Sequence, residues 1–444
     1  MKTFFTGTLF LVIAAFIGEC FEFFINMILA RELGEEGMGH YMSILPVMFF
    51  IVVLASFELP ISISKYVAES DKKLHWSMLK YAFGLAFWIT VCFSLITFLI
   101  LPKIPLFEEY HHSILWLFLL LIPLVSFSSI ARGYFMGTHQ MGKIAFSNGF
   151  RKILQLTLLI ILFQLFEFDH DTALLAALSA FIGSEAIVVL YLLSAYVLQT
   201  NELIRVSQKT SDKATIRKNL FHVSIPTTIL RVFHSFTHAV QPFLIKFALV
   251  RSGLSETMAT EQFGIMTGVA MTIGFFPAFI AHSLLIVLIP TVSEAYAKRD
   301  RLLLRKILKQ SIVLTFLYGI PAVAIIFTFG DQLTQLFFQV STASYYLKLL
   351  WPYFFFHFLI IPLQAYLIGL SLVKEALYHT IWSHFVAFSL IFVLGSMQEW
   401  QMAGVIIGLN TGGILQFLMH YMTICKKIGI NYFLKSEKFQ LFSK

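Results

Sequence analysis

The sequence predicts an all-α polytopic membrane protein: twelve transmembrane helices in two six-helix lobes around a central cleft, with both termini cytoplasmic. Three observations lead there. The 444 residues are 58% hydrophobic and only 13% charged, with a mean hydropathy of +0.81, whereas a soluble domain carries about 25% charge. Apolar stretches of about 20 residues, the length that crosses a bilayer, recur from end to end. The basic residues, finally, sort to one side of the spans those stretches define.

The expected spans are 4–30, 40–64, 76–101, 112–136, 145–166, 173–198, 219–248, 262–290, 307–329, 345–370, 375–396 and 402–425. The first follows Lys2, as a secretory signal would. No small-residue cleavage pattern is present and the apolar run continues past Glu22 to Ala30, so a retained helix is expected. With the N-terminus inside, the cytoplasmic segments hold 26 of the 32 Lys and Arg residues, Arg132 and Arg151 counted among them. The external segments hold Arg31, Lys103, Lys246, Arg251 and Lys348, and Arg231 lies within a span. This asymmetry obeys the positive-inside rule and requires an even number of spans. It also explains the net charge of +8 as topology and excludes nucleic acid as a partner.

The chain divides into an N-terminal six-helix lobe (1–198), a basic cytoplasmic linker (199–218), a C-terminal six-helix lobe (219–425) and a basic tail (426–444). An internal echo supports the division. "PISISKYVAESDK" starts at Pro60 after the second span, and "PTVSEAYAKRDR" starts at Pro290 after the eighth. Upstream, "EGMG" ending at Gly39 parallels "EQFG" ending at Gly264. A duplicated six-helix unit follows, with parallel repeats related by an axis along the membrane normal. Pro46, Pro123, Pro226, Pro242, Pro277, Pro321, Pro352 and Pro362 fall within or near spans. They bend helices, either for opening to two sides or as the ordinary composition of membrane helices. Gly404, Gly408 and Gly412 form a small stripe for close helix packing. Cys20, Cys92 and Cys425 have neither metal spacing nor a disulfide framework, and are expected to pack.

No catalytic motif survives inspection, and an enzyme is not expected. "GTHQMGKI" (residues 137–144) has the glycine and lysine spacing of a phosphate loop, but Ile144 stands where Ser or Thr is required and no strand precedes it. "EFDHD" is a short acidic loop, so Asp169 and Asp171 are expected to be solvated rather than to hold a metal and a sugar donor.

The informative residues are polar groups inside spans. Glu19, Glu22 and Asn26 are spaced i, i+3, i+7 on one face of the first span. A carboxylate at that depth costs at least about 2.5 kcal/mol. Arg231, His234, His238 and Gln241 share one face of the seventh span, extended by Thr227 and Ser224. If the chain is duplicated these are equivalent helices, and an acidic stripe confronts a basic one across the cleft. Such groups either glue helices together or line a wet interior; four in register favour the lining. Glu185 is central in the sixth span, as a charge switch or a buried packing residue. Glu58, beside Pro60, is expected to reach water or Lys65. His282, His357, Gln364, His384, Asn410, Gln416 and His420 are single polar groups expected in packing or at interfaces.

"ILARELGEEGMGHYMSILPV" (residues 28–47) resembles the first external loop of polysaccharide exporters in the MOP superfamily (multidrug, oligosaccharidyl-lipid and polysaccharide exporters). Arg31, Leu33, Gly34, Glu36, Gly39 and Tyr41 carry the match. "LPISISKYVAE", "ARGYFMGTHQM" and "LIPTVSEAYAKRD" are similar to the corresponding cytoplasmic helix ends. The most similar branch is the stage V sporulation protein B group. The resemblance implies an alternating-access transporter of the bacterial cytoplasmic membrane that moves a polyprenyl-(pyro)phosphate-linked saccharide to the outer leaflet. It implies no resident cofactor, coupling to protons or sodium, and partners in envelope or spore assembly.

Flippases of this superfamily that move a peptidoglycan precursor line their cleft with several arginines. Here the first span has none before Arg31, and Arg231 is the one arginine expected within a span. Three readings stay open. In a lipid-linked saccharide flippase, Arg231, His234, His238, Gln241 and Asn26 bind substrate and Glu19, Glu22 and Glu185 couple ions. In a cation-coupled multidrug-type antiporter, the Glu19 and Glu22 pair binds proton and drug in turn. In a transport-inactive scaffold of envelope or spore assembly, neither set transports.

Overall fold

The computed structural model describes residues 2–103, 112–205 and 213–430. Along the chain lie α1 (Lys2–Ser56), α2 (Leu59–Glu69), α3 (Lys72–Ile100), α4 (Ser113–Gly137), α5 (Met141–Leu165), α6 (His170–Arg205) and α7 (Lys213–Arg251). These are followed by α8 (Glu256–Gly264), α9 (Met271–Phe275), α10 (Ala278–Ala297), α11 (Arg301–Leu333), α12 (Ala343–Leu349), α13 (Trp351–Gly369), α14 (Val373–Gly395) and α15 (Gln401–Ile428). Wider turns at Ile265–Ala270 and Thr334–Phe338 join α8 to α9 and extend α11. Among the described residues, ten helices are long and apolar enough to cross a membrane. The protein is therefore a multi-pass membrane protein. One of the ten, Ala15–Glu69, contains the second expected span and the part of the first from Ala15 on; α7 is not among them.

Several expected spans are interrupted. The stretch α1 is two helices joined at a kink at Gly34, whose φ of 68° and ψ of −173° leave the helical region. A Cβ there would meet nothing within 4 Å, so the backbone angles, not space, demand glycine. The second span breaks at Phe57 and Glu58, which have φ of 46° and 47°. The eighth breaks before α10 at Pro277 and the tenth before α13, which has Pro352 in its first turn. In both, proline lacks the N–H that would continue the preceding helix and starts a new one. The expected linker is also shorter than 199–218, because α6 runs on to Arg205 and α7 begins at Lys213; the rest of it lies outside the described residues, as does the tail from residue 431.

The helices group into two compact units. One joins the chain up to Arg31 to everything from Phe243 on; the other is Glu32–Pro242. The first stretch of α1 thus packs with the C-terminal helices, and most of α7 packs with the N-terminal ones. The units differ in this from the consecutive lobes expected on either side of 199–218.

Within each unit the echoed segments hold the same place in the core. In the 32–242 unit, Leu59, Ile63 and Val67 of α2 pack with Tyr134 and Phe135 of α4. In the other, Leu288, Val292 and Ala295 of α10 pack with Tyr366 and Leu367 of α13. Gly137, three residues after Tyr134, lets α2 come so near that a Cβ would lie 2.7 Å from the Ser64 carbonyl oxygen. Gly369, three residues after Tyr366, approaches α10 with a virtual Cβ 2.7 Å from Val292 Cβ. Both helices then end alike, with left-handed His139 (φ 58°) and Ser371 (φ 62°) two residues after the glycine. Shared sequence, packing and chain reversal support duplication.

The glycine stripe of α15 does what its spacing predicts. A Cβ on Gly404 would stand 2.5 Å from the Leu394 carbonyl carbon, and one on Gly408 would stand 2.9 Å from the Ile391 backbone nitrogen. The α14 backbone occupies that space. Cys425 is buried and Cys20 half-buried, whereas Cys92 is exposed on α3.

Candidate functional site

Glu58 and Glu185, the acids that fall inside expected spans of the Glu32–Pro242 unit, are paired, and not as the sequence suggests. Arg231 Nη1 donates to Glu58 Oε1 at 2.8 Å. The partner of Glu58 is thus an arginine 173 residues away, not Lys65 or water. The left-handed turn at Phe57 and Glu58 produces this pair by aiming the carboxylate at α7. The Glu58 side chain is 2% exposed and the Arg231 side chain 62%. Glu58 Oε2 has no hydrogen-bond partner among the described residues. Two turns earlier on α7, Ser224 Oγ donates to Ser62 Oγ at 2.8 Å, fixing the register of α7 on α2. One and two turns beyond Arg231, His234 and His238 are exposed, with ring centroids 4.7 Å apart. Gln241 is half-buried.

Glu185 is a second departure. It lies near the middle of the apolar stretch Thr172–Gln199 and receives two arginines. Arg132 Nη2 of α4 donates to its Oε1 at 3.1 Å, and Arg151 Nε of α5 stands 3.7 Å from its Oε2. It is an ion-pair centre and not a lone packing residue. Arg132 and Arg151 were expected in cytoplasmic segments, yet both sit within membrane-length helices. Arg231 is therefore not the only arginine inside a span. The signal was present in sequence: both positions fall inside the apolar spans, but a tally of charge by side absorbs them.

Glu19, Glu22 and Asn26 belong to the other unit and are all half-buried. Asn26 Nδ2 donates to Thr272 Oγ1 of α9 at 3.3 Å, an interhelical bond. Arg31, the first residue of the resembling loop, clamps the turn after α11. Its Nε donates to the Phe337 carbonyl and its Nη2 to the Leu336 carbonyl, both at 2.9 Å. Asn410 bridges the α12–α13 break: its Nδ2 donates to the Leu349 carbonyl, and its Oδ1 accepts from the Tyr353 N–H, both at 3.0 Å. This is the packing role its isolation suggests. His379 and His420 are buried with their Nδ1 atoms 3.1 Å apart between α14 and α15.

Two units of long kinked helices with charges paired inside them define a class of protein. The fold is similar to that of a multidrug resistance MATE family transporter of the MOP superfamily whose structure is described as inward-facing, at TM-score 0.68 with 18% identity over 92% of this chain and 95% of that one. A MOP superfamily transporter from Pyrococcus furiosus, whose binding pocket is described as having reverse polarity, aligns at TM-score 0.63 with 17% identity over 95% of each chain. In sequence, the chain is 52% identical to sporulation protein YkvU of Bacillus subtilis over 98% of both proteins. It is 30% identical to stage V sporulation protein B of the same organism, over 98% of this chain and 86% of that protein. The family model for polysaccharide biosynthesis proteins matches residues 4–296 and the MatE model matches 264–393. The chain belongs to the polysaccharide biosynthesis protein family of the MOP superfamily, which consists of membrane transporters and not enzymes.

Proposed function

We propose that the protein is a flippase that moves a polyprenyl-phosphate-linked saccharide across the bacterial cytoplasmic membrane by alternating access, for envelope or spore assembly. In this reading twelve crossings place both termini in the cytoplasm, and protons or sodium ions drive the cycle. The observation that carries it is the α7 face. A largely exposed guanidinium is held by a buried carboxylate, with two exposed histidines in register along the same helix. Arginine presents a planar fork of donors that matches phosphate oxygens. Glu58 keeps that fork oriented, and its 2% exposure keeps the carboxylate away from an incoming anion. Arg231 then takes the phosphate, His234 and His238 add donors to it, and Gln241 contacts sugar hydroxyls; Asn26 is a substrate contact of its own unit. Glu19, Glu22 and Glu185 serve as the ion-coupled groups. Names of relatives in sporulation support the setting.

The test is flipping of a fluorescent polyprenyl-phosphate disaccharide in proteoliposomes. Wild-type protein moves the probe between leaflets, and Arg231→Ala/Glu58→Gln slows it at least tenfold. Equal rates for the two refute the phosphate role of Arg231. A second reading, a multidrug-type cation antiporter, is favoured by the MatE match over 264–393 and by the half-buried pair Glu19 and Glu22. It predicts cationic dye efflux that Glu19→Gln abolishes, with no movement of the lipid-linked sugar.

A further inference from the structure

The cluster around Glu185 does not balance. Arg132, Arg151 and Glu185 have side chains 22%, 19% and 14% exposed. Two guanidiniums, which stay protonated in proteins, face one carboxylate. Their other partners are neutral: Arg132 Nη1 donates to Asn148 Oδ1 at 2.9 Å and Arg151 Nη1 to Gln155 Oε1 at 3.2 Å, while the Arg151 guanidinium stacks 5.2 Å from the Phe181 ring centroid. Among the described residues no second acid joins them, so one positive charge is uncompensated inside membrane-length helices. Intramembrane charges are costly unless paired or wet. Among the described residues, most of the donors find no partner as well. Of five N–H donors on each guanidinium, Arg132 uses two and Arg151 one.

Two guanidiniums converging on one carboxylate, one bonded to an oxygen at 3.1 Å and the other 3.7 Å from the second oxygen, with donors to spare, is an arrangement that can receive a tetrahedral oxyanion. We propose that Arg132 and Arg151 form a seat for a phosphoryl anion, which the Glu185 carboxylate fills in this structure and leaves when the anion enters. The carboxylate is a tethered competitor. It spares the arginines an empty site and is displaced by a group with more charge and more acceptor oxygens. A phosphate dianion cancels the two guanidiniums once Glu185 has moved off, and a phosphodiester monoanion matches the carboxylate's charge while bringing tetrahedrally arranged oxygens to the spare donors. The seat stands on the geometry of one unit. Only its physiological source, a lipid headgroup rather than free phosphate, rests on the flippase reading above.

The experiment measures binding to the full chain in phosphatidylcholine nanodiscs by intrinsic tryptophan fluorescence. One arm titrates inorganic phosphate; the other compares discs with and without 5 mol% dicetyl phosphate. Removing the competitor in Glu185→Gln tightens binding of at least one probe about tenfold or more. Adding Arg151→Gln to that variant abolishes the gain. Asn148→Asp, which supplies the missing negative charge beside Arg132, weakens binding in the wild-type background and so tests the seat even where Glu185→Gln folds poorly. A gain in both arms indicates a general phosphoryl seat, and one confined to dicetyl phosphate a headgroup seat. Unchanged or weaker binding of both probes in Glu185→Gln overturns the proposal, as does Asn148→Asp that binds like wild type. Flipping without tightening leaves the transport reading intact and removes the seat; tightening without flipping does the reverse.

Discussion

Replacing Arg231 with alanine tests the logic of the Glu58 pair directly. The substitution strands a carboxylate whose side chain is 2% exposed and whose second oxygen already lacks a partner among the described residues. Removing one member of a buried pair costs about 3–5 kcal/mol. The arginine end of this pair is 62% exposed, so water enters where the guanidinium was, and the expected loss falls to about 2 kcal/mol. Glu58→Gln keeps the shape, removes the charge and costs about 1 kcal/mol. The double variant leaves no buried charge at all. Its loss is then about 1 kcal/mol, well short of the additive ~3 kcal/mol, which gives a coupling of about 2 kcal/mol. Equilibrium unfolding of the micelle-bound protein by SDS reads all four species. A double variant that loses the full sum refutes the pairing. The same cycle makes the transport assay interpretable, because lost flipping in Arg231→Ala alone confuses a missing phosphate ligand with a stranded carboxylate.

Two further predictions concern helix packing. Gly408→Ala puts a Cβ 2.7 Å from Ile391 Cγ1 and 3.0 Å from the Ala387 carbonyl oxygen; α14 and α15 must part, at a cost of about 1–3 kcal/mol. Gly84→Ala, where a Cβ meets nothing within 4 Å, is the control and leaves the thermal midpoint in detergent level with or slightly above wild type. Asn410→Leu deprives the Leu349 carbonyl and the Tyr353 N–H of their partner at the α12–α13 break. It destabilises by about 2 kcal/mol in the same measurement, and a midpoint equal to wild type disproves the bridge.

The fold was legible where one physical signal dominates. Apolar length finds the helices because a bilayer demands it, and the Gly404, Gly408 and Gly412 stripe names its own packing face. Helix breaks were less legible. Pro60, Pro277 and Pro352, each at the start of the helix that follows, announce theirs, but nothing in the sequence marks Glu58 for the left-handed backbone that turns its carboxylate toward Arg231. Unit membership was not legible at all. Cutting the chain at its longest polar segment treats α1 and α7 as belonging to their own halves, whereas contacts assign the first stretch of α1 and most of α7 to the opposite half.

The site followed a similar division between what spacing encodes and what only packing reveals. Helical periodicity put Arg231, His234 and His238 on one face, and that holds as geometry. It says nothing about what the face meets, because the partner comes from a remote helix whose rotation is fixed by apolar contacts. Glu58 and Glu185 illustrate the two ways this fails. Glu58 sits next to a basic cytoplasmic segment, so proximity in sequence suggested Lys65; a backbone turn sends it to α7 instead. Glu185 sits among small apolar residues of its own helix, so it read as solitary; its arginines come from α4 and α5. Counting charges by membrane side hid those arginines, since a tally made to fix topology assigns every base to the nearest loop. Intramembrane bases need to be weighed twice, once for topology and once as partners for each intramembrane acid. Weighed in that way, Arg132, Arg151 and Arg231 stand against Glu19, Glu22, Glu58 and Glu185, and two of those acids, Glu58 and Glu185, take all three bases.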